Sequence, residues 1–517
     1  MNILGFPYLS LILFFPMAGA FLLAFIPKKD TLIIKLFTLV WIIVEFLISV
    51  PLYFLFNSHT YSMQFVENYS WIKSLNIHYF LGIDGISLFL VLLTTFLMIS
   101  AQWSTWEAVD KKVKEFNIAL LLLETGMLGV FLALDGFLFY VFWEFELIPM
   151  YLLIGIWGGK FRVYATMKFF LYTFAGSVLM LVAIMALYFI HGHITGDYTF
   201  NLVELAKAPL PLKWQFWLFL AFFIAFAIKV PIWPFHTWLP WAHVEAPTAG
   251  SVLLAGVLLK MGTYGFLRFN LPMFPDMTRM FVPVIAAVAL IGVYYGAWVA
   301  MVQPDMKKLV AYSSVSHLGY VMLGMFALNR IGMEGSILQM INHGISTGAL
   351  FLIVGVIYER THTRLIGRYS GLAAIMPAYA AMAGIFIFSS IGLPGMNGFI
   401  GEILILVGVF KSNIWYGMLL APGAIFSATY MLVMYRRVFF HKPKPELVEL
   451  SKQGKLKDLS LREFSYFIPI VLLVFWIGLY PNAFLSKMHT SVNHLITQVH
   501  REVPANKNIS MLTGGKR

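Results

Sequence analysis

Runs of about twenty apolar residues, parted by short polar or basic segments, recur along the whole chain. A helix of that length crosses roughly 30 Å of hydrocarbon. The pattern predicts fourteen spans, at 4–26, 32–56, 81–101, 116–134, 136–157, 165–190, 214–236, 247–269, 280–302, 306–327, 334–358, 375–410, 415–440 and 465–485. Two of them are interrupted. One carries Lys229-Val-Pro231-Ile-Trp-Pro234, and the other Ser389-Ser390-Ile-Gly392-Leu-Pro394-Gly395-Met-Asn397-Gly398. Proline inside a helix costs about 3 kcal/mol and frees a carbonyl. In lipid that is tolerated only where protein or water satisfies the freed group.

With the spans taken in fives, each interruption falls in fourth place. Five is odd, so the second unit is inverted relative to the first. Inverted repeats with matching broken helices point to an ion path; simple kinking is the plainer reading. The path is favoured because each break lies within seven residues of a charge inside a span. The fold class expected is an all-α polytopic membrane protein with two inverted five-helix repeats. Its parts are 1–115 (the first three helices), 116–270 and 271–440 (the repeats), and 441–517 (a basic loop, the last helix and a tail).

Composition agrees. Sixty per cent of the 517 residues are hydrophobic and 12% charged, against about 25% charged in a soluble domain, and mean hydropathy is +0.81. There is no cysteine, which excludes disulfides, zinc–thiolate sites and cysteine-held iron–sulfur clusters in this chain. The N-terminus has no basic segment ahead of its apolar run, so the first span reads as retained rather than cleaved.

The net charge of +12 is unevenly placed. Twenty-two Lys and Arg residues fall in one set of loops, including Lys28, Lys111, Lys160, Arg162, Lys307, Lys308, Arg360, Arg364 and the stretch from Arg436 to Arg462. Twelve fall in the other set, five of them after the last span, and Lys229 and Lys260 lie within spans. The positive-inside rule then puts the first set in the cytoplasm and both termini outside. The long basic loop 436–462 favours a bacterial inner membrane. Membrane lipids rather than nucleic acid are the partners this charge pattern implies.

Charges within spans are the candidate chemistry. Each costs roughly 2.5–3.5 kcal/mol on insertion scales, so it persists only if paired, hydrated or functional. Glu144, Lys229, Lys260 and Glu402 are of this kind, with His317 and His343 near the middles of their spans. Together they suggest a polar chain through the interior, in which lysine and histidine load and unload protons readily. Glu144 is the expected partner of Lys229. Static ion pairs and core histidines are the alternative reading. Glu45 and Glu124 also lie within spans, Glu124 as a possible extension of the line and Glu45 as an isolated paired group.

Other motifs carry less. His191-Gly-His193 reads as a solvated loop. His236 and His243 flank a proline-rich turn and either line a cytoplasmic mouth or bond backbone. No Gly-rich phosphate loop or Ser/His/Asp arrangement is present, so no nucleotide site is expected.

The stretch from Lys229 through Trp-Pro-Phe-His236 and His243-Val-Glu-Ala-Pro-Thr-Ala-Gly to Lys260-Met-Gly resembles the signature of antiporter-like subunits of respiratory complex I. Phe-Leu-Phe-Tyr-Val-Phe-Trp-Glu144 and the segment Ser389 to Glu402 fit the same family. Within it the chain is similar to the M-type branch, because the L-type and N-type relatives resemble one another in having lysine at the place of Glu402. A short tail after residue 485 points the same way. Trp241 departs from the pattern, since bacterial relatives often have an acidic residue there.

The resemblance implies proton translocation from cytoplasm to the outer face, driven by electron transfer in other subunits. It implies Glu144 and Lys229 as a modulating couple, Lys260 and His317 as central relay with His343 beside it, and Glu402 on the exit side. It places no cofactor in this chain and expects FMN, iron–sulfur clusters and quinone in partner subunits. The partners implied are L-type and N-type antiporter-like subunits, small membrane subunits and, indirectly, the peripheral redox arm. The rival readings are an Mrp-type cation/proton antiporter subunit, a redox subunit using His317 and His343 as haem ligands, and a purely structural membrane subunit.

Overall fold

Hydrocarbon offers no hydrogen bonds, so a chain this apolar must satisfy its backbone internally, and helices do so segment by segment. The computed structural model describes residues 6–501 and is almost wholly helical. Ten helices among them are long and apolar enough to cross a membrane, and Tyr8–Leu23, Leu88–Ser104 and Pro377–Ser390 are shorter apolar helices. Thr248–Met273 and Arg330–Thr361 are buried along their whole apolar windows, so they form the centre of the bundle. Thr31–Leu55, Ile414–Phe439 and Leu461–Leu479 turn much of their surface outward, exposing large apolar side chains such as Phe54, Ile425 and Leu472. Apolar outer surface is what lipid contact requires.

Every expected span falls on a helix, with four differences. Residues 81–87 do not begin the third helix: Ile77–Ile83 pairs antiparallel with Gln64–Ile72 in a hairpin, and the helix starts at Leu88. The carboxylate of Glu67 from this hairpin accepts the N–H of Leu9 at 2.6 Å, capping the first helix where its dipole favours an anion. The span at 136–157 is interrupted at Glu146. Pro149 has no N–H for the carbonyl of Phe145, which loosens the turn there. His191-Gly-His193 is not a loop but the last turn of Arg162–Thr195, with His191 buried against the carbonyl of Asp197 at 2.7 Å. Finally, Asn482–Val499 is an amphipathic helix rather than tail. Lys507, Lys516 and Arg517 lie outside the described residues.

The loops sort into two ends. At the basic end Lys28 pairs with Glu115, Arg360 with Glu463 at 2.7 Å, Arg364 with Asp305 at 3.3 Å and Arg462 with Glu107 at 3.1 Å. At the other end, Asn482–Val499 lies over the hairpin and neighbouring loops, where Lys487 donates to Phe56 and Arg279 to Val499. The same end holds a buried ion pair: Arg268 donates to Asp84 at 2.8 Å and to the Tyr264 hydroxyl at 2.9 Å. Asp84 also accepts the N–H groups of Ile86 and Ser87 at 3.0 and 3.1 Å, which fixes the entry to Leu88–Ser104.

Removing one member of a buried pair strands the other and costs about 3–5 kcal/mol. Arg268→Ala is therefore expected to lower the thermal midpoint of the purified protein strongly, and adding Asp84→Asn to recover part of the loss. A single variant as stable as the native chain would show that this pair carries no structural weight.

Candidate functional site

The broken helix Leu212–Lys229 shows how the sequence makes a polar site inside lipid. Pro231 has no N–H for the carbonyl of Ala227. That carbonyl instead accepts from Ile232 at 2.8 Å, and the next, of Ile228, accepts from the Trp238 indole at 2.9 Å. The chain resumes as a turn at Phe235–Trp238 and a half-helix, Leu239–Glu245. Lys229 is the last helical residue before the break.

Its ammonium pairs with Glu146, which departs from the expected Glu144. The two side chains are 1% and 0% exposed, so neither charge has bulk water to fall back on. The Trp143 ring lies 5.3 Å from the ammonium, near enough for a cation–π attraction. Glu144 is half-buried, near Ser177, Tyr140 and Lys229, and its Oε1 has no hydrogen-bond partner among the described residues.

Lys260 stands in Thr248–Met273, which is not a regular helix. π-turns run over Leu254–Leu258 and Phe266–Asn270 on either side of it; such bulges leave carbonyls off the regular ladder and gather at functional sites. The Lys260 ammonium donates to the carbonyl of Ala255 and lies 2.6 Å from Nδ1 of His343. The His343 and His317 rings are 6.0 Å apart between centroids. Nδ1 of His317 is 3.2 Å from Oε1 of Glu402, and its Nε2 is 3.4 Å from Ser390. Lys260, His343, His317 and Glu402 are thus one contiguous line.

The second break builds the far end of that line. Pro377–Ser390 and Asn397–Ser412 are joined by a turn in which Gly392 and Gly395 have φ of +73° and +91°, values that favour glycine. Asn397 accepts from Ser389 at 2.5 Å, and its carbonyl accepts from Asn342 at 2.7 Å. Gln339 donates to Glu402 at 3.3 Å. A cavity of about 10 Å³ lies among His317, Asn342, His343, Ser346 and Ser390, room for about one water molecule. A haem plate does not fit between these histidines.

Lys229 and Lys260 have no common hydrogen-bond partner, but their helices touch. A Cβ at Gly262 would stand 2.8 Å from the backbone nitrogen of Val230, so only glycine permits the approach. His243 stacks on Phe351, with ring centroids 4.4 Å apart. Two residues on, Glu245 lines a vestibule of about 570 Å³ at the basic end, together with Lys111, Arg162, Lys307, Glu359 and Arg364. His236 lies against Tyr295. Glu45 and Glu124, expected to be separate, are fully buried neighbours whose carboxylate oxygens have no hydrogen-bond partner among the described residues.

Sequence reading missed Glu146, Gln339, Asn342 and Asn397. Asn397 sits in the visible Pro-Gly-Met-Asn-Gly break, and Glu146 is the second acid of Trp-Glu-Phe-Glu; both signals were present. Gln339 and Asn342 sit in a long helix with no local mark.

A family model described as "NADH:quinone oxidoreductase/Mrp antiporter, TM" matches residues 133–427. A protein named NADH-quinone oxidoreductase subunit M, from Rhodobacter capsulatus, is 50% identical over 96% of this chain and 97% of its own. NADH-ubiquinone oxidoreductase chain 4 of Arabidopsis thaliana is 46% identical over 94% and 97%. Among solved structures, a chain of respiratory complex I from Thermus thermophilus with bound NADH superposes with a TM-score of 0.86. It is 31% identical and covers 95% of this chain and 100% of its own.

The tightness of the second break is testable. A methyl at Gly398 would collide with the carbonyl of Ser389, a backbone atom that cannot rotate away. Gly398→Ala is expected to lower the thermal midpoint, at a cost of about 1–3 kcal/mol. Gly367→Ala, where an added Cβ meets nothing, should leave it unchanged. Equal midpoints for the two variants would contradict this packing.

Proposed function

The chain belongs to the NADH:quinone oxidoreductase/Mrp antiporter family of transmembrane proteins, and we propose that it moves protons along the buried line just described. It is a multi-pass membrane subunit of a proton-translocating NADH:quinone oxidoreductase, driven by electron transfer in other subunits. The observation that carries the proton path is the contiguity of Lys260, His343, His317 and Glu402 in the buried centre of the bundle. Full-length relatives named as oxidoreductase subunits favour this reading over an Mrp-type antiporter.

The proposed route begins at the basic end, taken as cytoplasmic, with both termini on the outer side. The vestibule brings water to Glu245 and Lys307, and His243 leads inward from it. At Lys260 a proton on the ammonium passes to the neighbouring Nδ1 of His343. Imidazole accepts at one nitrogen and releases at the other. One water in the small cavity is enough to bridge to His317, which delivers the proton to Glu402 on the exit side.

The lysine site at Lys229 lies off this line and sets its bias. A change in how Lys229 is paired alters the field at Lys260 through the tight helix contact, in a medium that screens charge poorly. The equivalence of the halves 116–270 and 271–440, related by inversion, belongs to the same proposal. So do neighbours of the L and N types and the residence of FMN, iron–sulfur clusters and quinone in partner subunits. Moving one charge against the membrane potential costs about 2.3 kcal/mol per 100 mV, and those partners supply it.

In the assembled complex, Lys229→Ala or Glu144→Ala is expected to cut NADH-driven proton pumping severalfold while assembly persists. The measurement is the proton-to-electron ratio in proteoliposomes or inverted vesicles. A variant complex that assembles and pumps at the native ratio would remove Lys229 and Glu144 from the mechanism.

A further inference from the structure

Lys229 has two carboxylates beside it where one would neutralise it. Glu144 and Glu146 are two residues apart, and on a regular helix side chains at that spacing point to nearly opposite faces. Here the helix is interrupted at Glu146 itself, with Pro149 three residues on. The interruption lets both acids address one lysine. The break is also pinned from behind, because a Cβ at Gly126 would stand 2.7 Å from that of Glu146.

Resting on the proton-path reading above, we propose that Glu146 is the resident counter-ion of Lys229 and Glu144 its alternate. The site then offers two positions for one ammonium. Three features beyond the ion pair favour this arrangement over a static bridge. The ammonium has three N–H donors, and Glu146 is its one hydrogen-bond acceptor among the described residues. Oε2 of Glu146 and Oε1 of Glu144 are buried with no hydrogen-bond partner among those residues. A buried pair repays its desolvation only when its remaining lone pairs and protons are satisfied, so this one is held more weakly than its burial suggests.

The two acids also differ in surroundings. Glu146 is fully enclosed, whereas Glu144 is half-buried, with the Tyr140 and Ser177 side chains nearby. Two carboxylates and one ammonium, all ionised, would leave a net negative charge in a dry site. One carboxyl therefore holds a proton while the other holds Lys229. When the ammonium crosses from Glu146 to Glu144, the proton on Glu144 is displaced and the carboxylate left at Glu146 can take it. The total charge and proton count are conserved, and the position of the ammonium relative to Lys260 changes.

Two measurements on the assembled complex test this. In the first, Lys229→Gln should lower the thermal midpoint by several degrees, because it strands the carboxylate that lysine rests on. Adding Glu146→Gln should restore the midpoint, and adding Glu144→Gln should not. The reverse pattern, or rescue by both, overturns the assignment of Glu146 as resident partner.

In the second, Glu146→Gln and Glu144→Gln are each expected to reduce the proton-to-electron ratio about threefold or more. The double variant should be no worse than either alone, and Glu146→Asp should recover most of the ratio. If Glu144→Gln is defective but Glu146→Gln pumps normally, the two-position site is wrong and the proton-path reading stands. If Glu144→Gln and Lys229→Gln both pump normally, the paired site has no part in pumping; normal pumping by His317→Ala would instead overturn the proton-path reading itself.

Discussion

A charge in the middle of a lipid-spanning helix has nowhere to go for solvation, and the rest of this protein is arranged around that fact. The insertion cost of about 2.5–3.5 kcal/mol for each such residue is met in three ways. Lys229 is answered by a carboxylate, Lys260 by a backbone carbonyl and an imidazole, and Glu402 by an imidazole and an amide. Glu45 and Glu124 lie close to one another with no hydrogen-bond partner among the described residues. Because Glu146, His343, His317 and Gln339 each answer a charge on another helix, the polar groups also fix how the helices pack. The two most enclosed helices, Thr248–Met273 and Arg330–Thr361, are the ones that carry Lys260 and His343.

Those answers require irregular backbone. A straight helix has no free carbonyl for an ammonium and turns its side chains at fixed angles. The interruptions at Lys229, at Glu146 and between Ser390 and Asn397, together with the π-turns around Lys260, each change one of these conditions. The proline at 231 ends a helix next to a lysine, the π-turn frees the carbonyl of Ala255, and Pro149 swings Glu146 onto the face of Lys229. Interruptions of this kind are stable in lipid because other groups take up the freed backbone, as the Trp238 indole does for Ile228.

Much of this was legible in the sequence. Apolar runs marked the spans, and the cost of charge marked Glu144, Lys229, Lys260 and Glu402 without any structure. His317 and His343 stood out by their mid-span positions, and the family resemblance gave them an order in a relay. What escaped depended on geometry that neither local pattern nor composition records. Glu144, the acid nearer mid-span, was the expected partner of Lys229, because nothing local marks that the helix yields at Glu146. The strand Ile77–Ile83 is apolar enough at its end that span-counting ran the third helix back into it. Gln339 and Asn342 read as ordinary polar positions until the second break folds back on them. The amphipathic helix Asn482–Val499 is too polar to register as a span.

The two broken helices leave different chemistry beside them. Next to the first break a lysine faces two carboxylates, a site of mixed sign in which the ammonium is held whichever acid it sits on. Beside the second break Glu402 faces His317, Gln339 and no permanent cation among the described residues. Its side chain is 11% exposed, so this carboxylate is enclosed less completely than Glu146, which is 0% exposed. The first site, by contrast, is closed and already paired. Exchanging a lysine for a glutamate beside a helix break thus separates a site held by an ion pair from one whose carboxylate is answered by an imidazole and an amide.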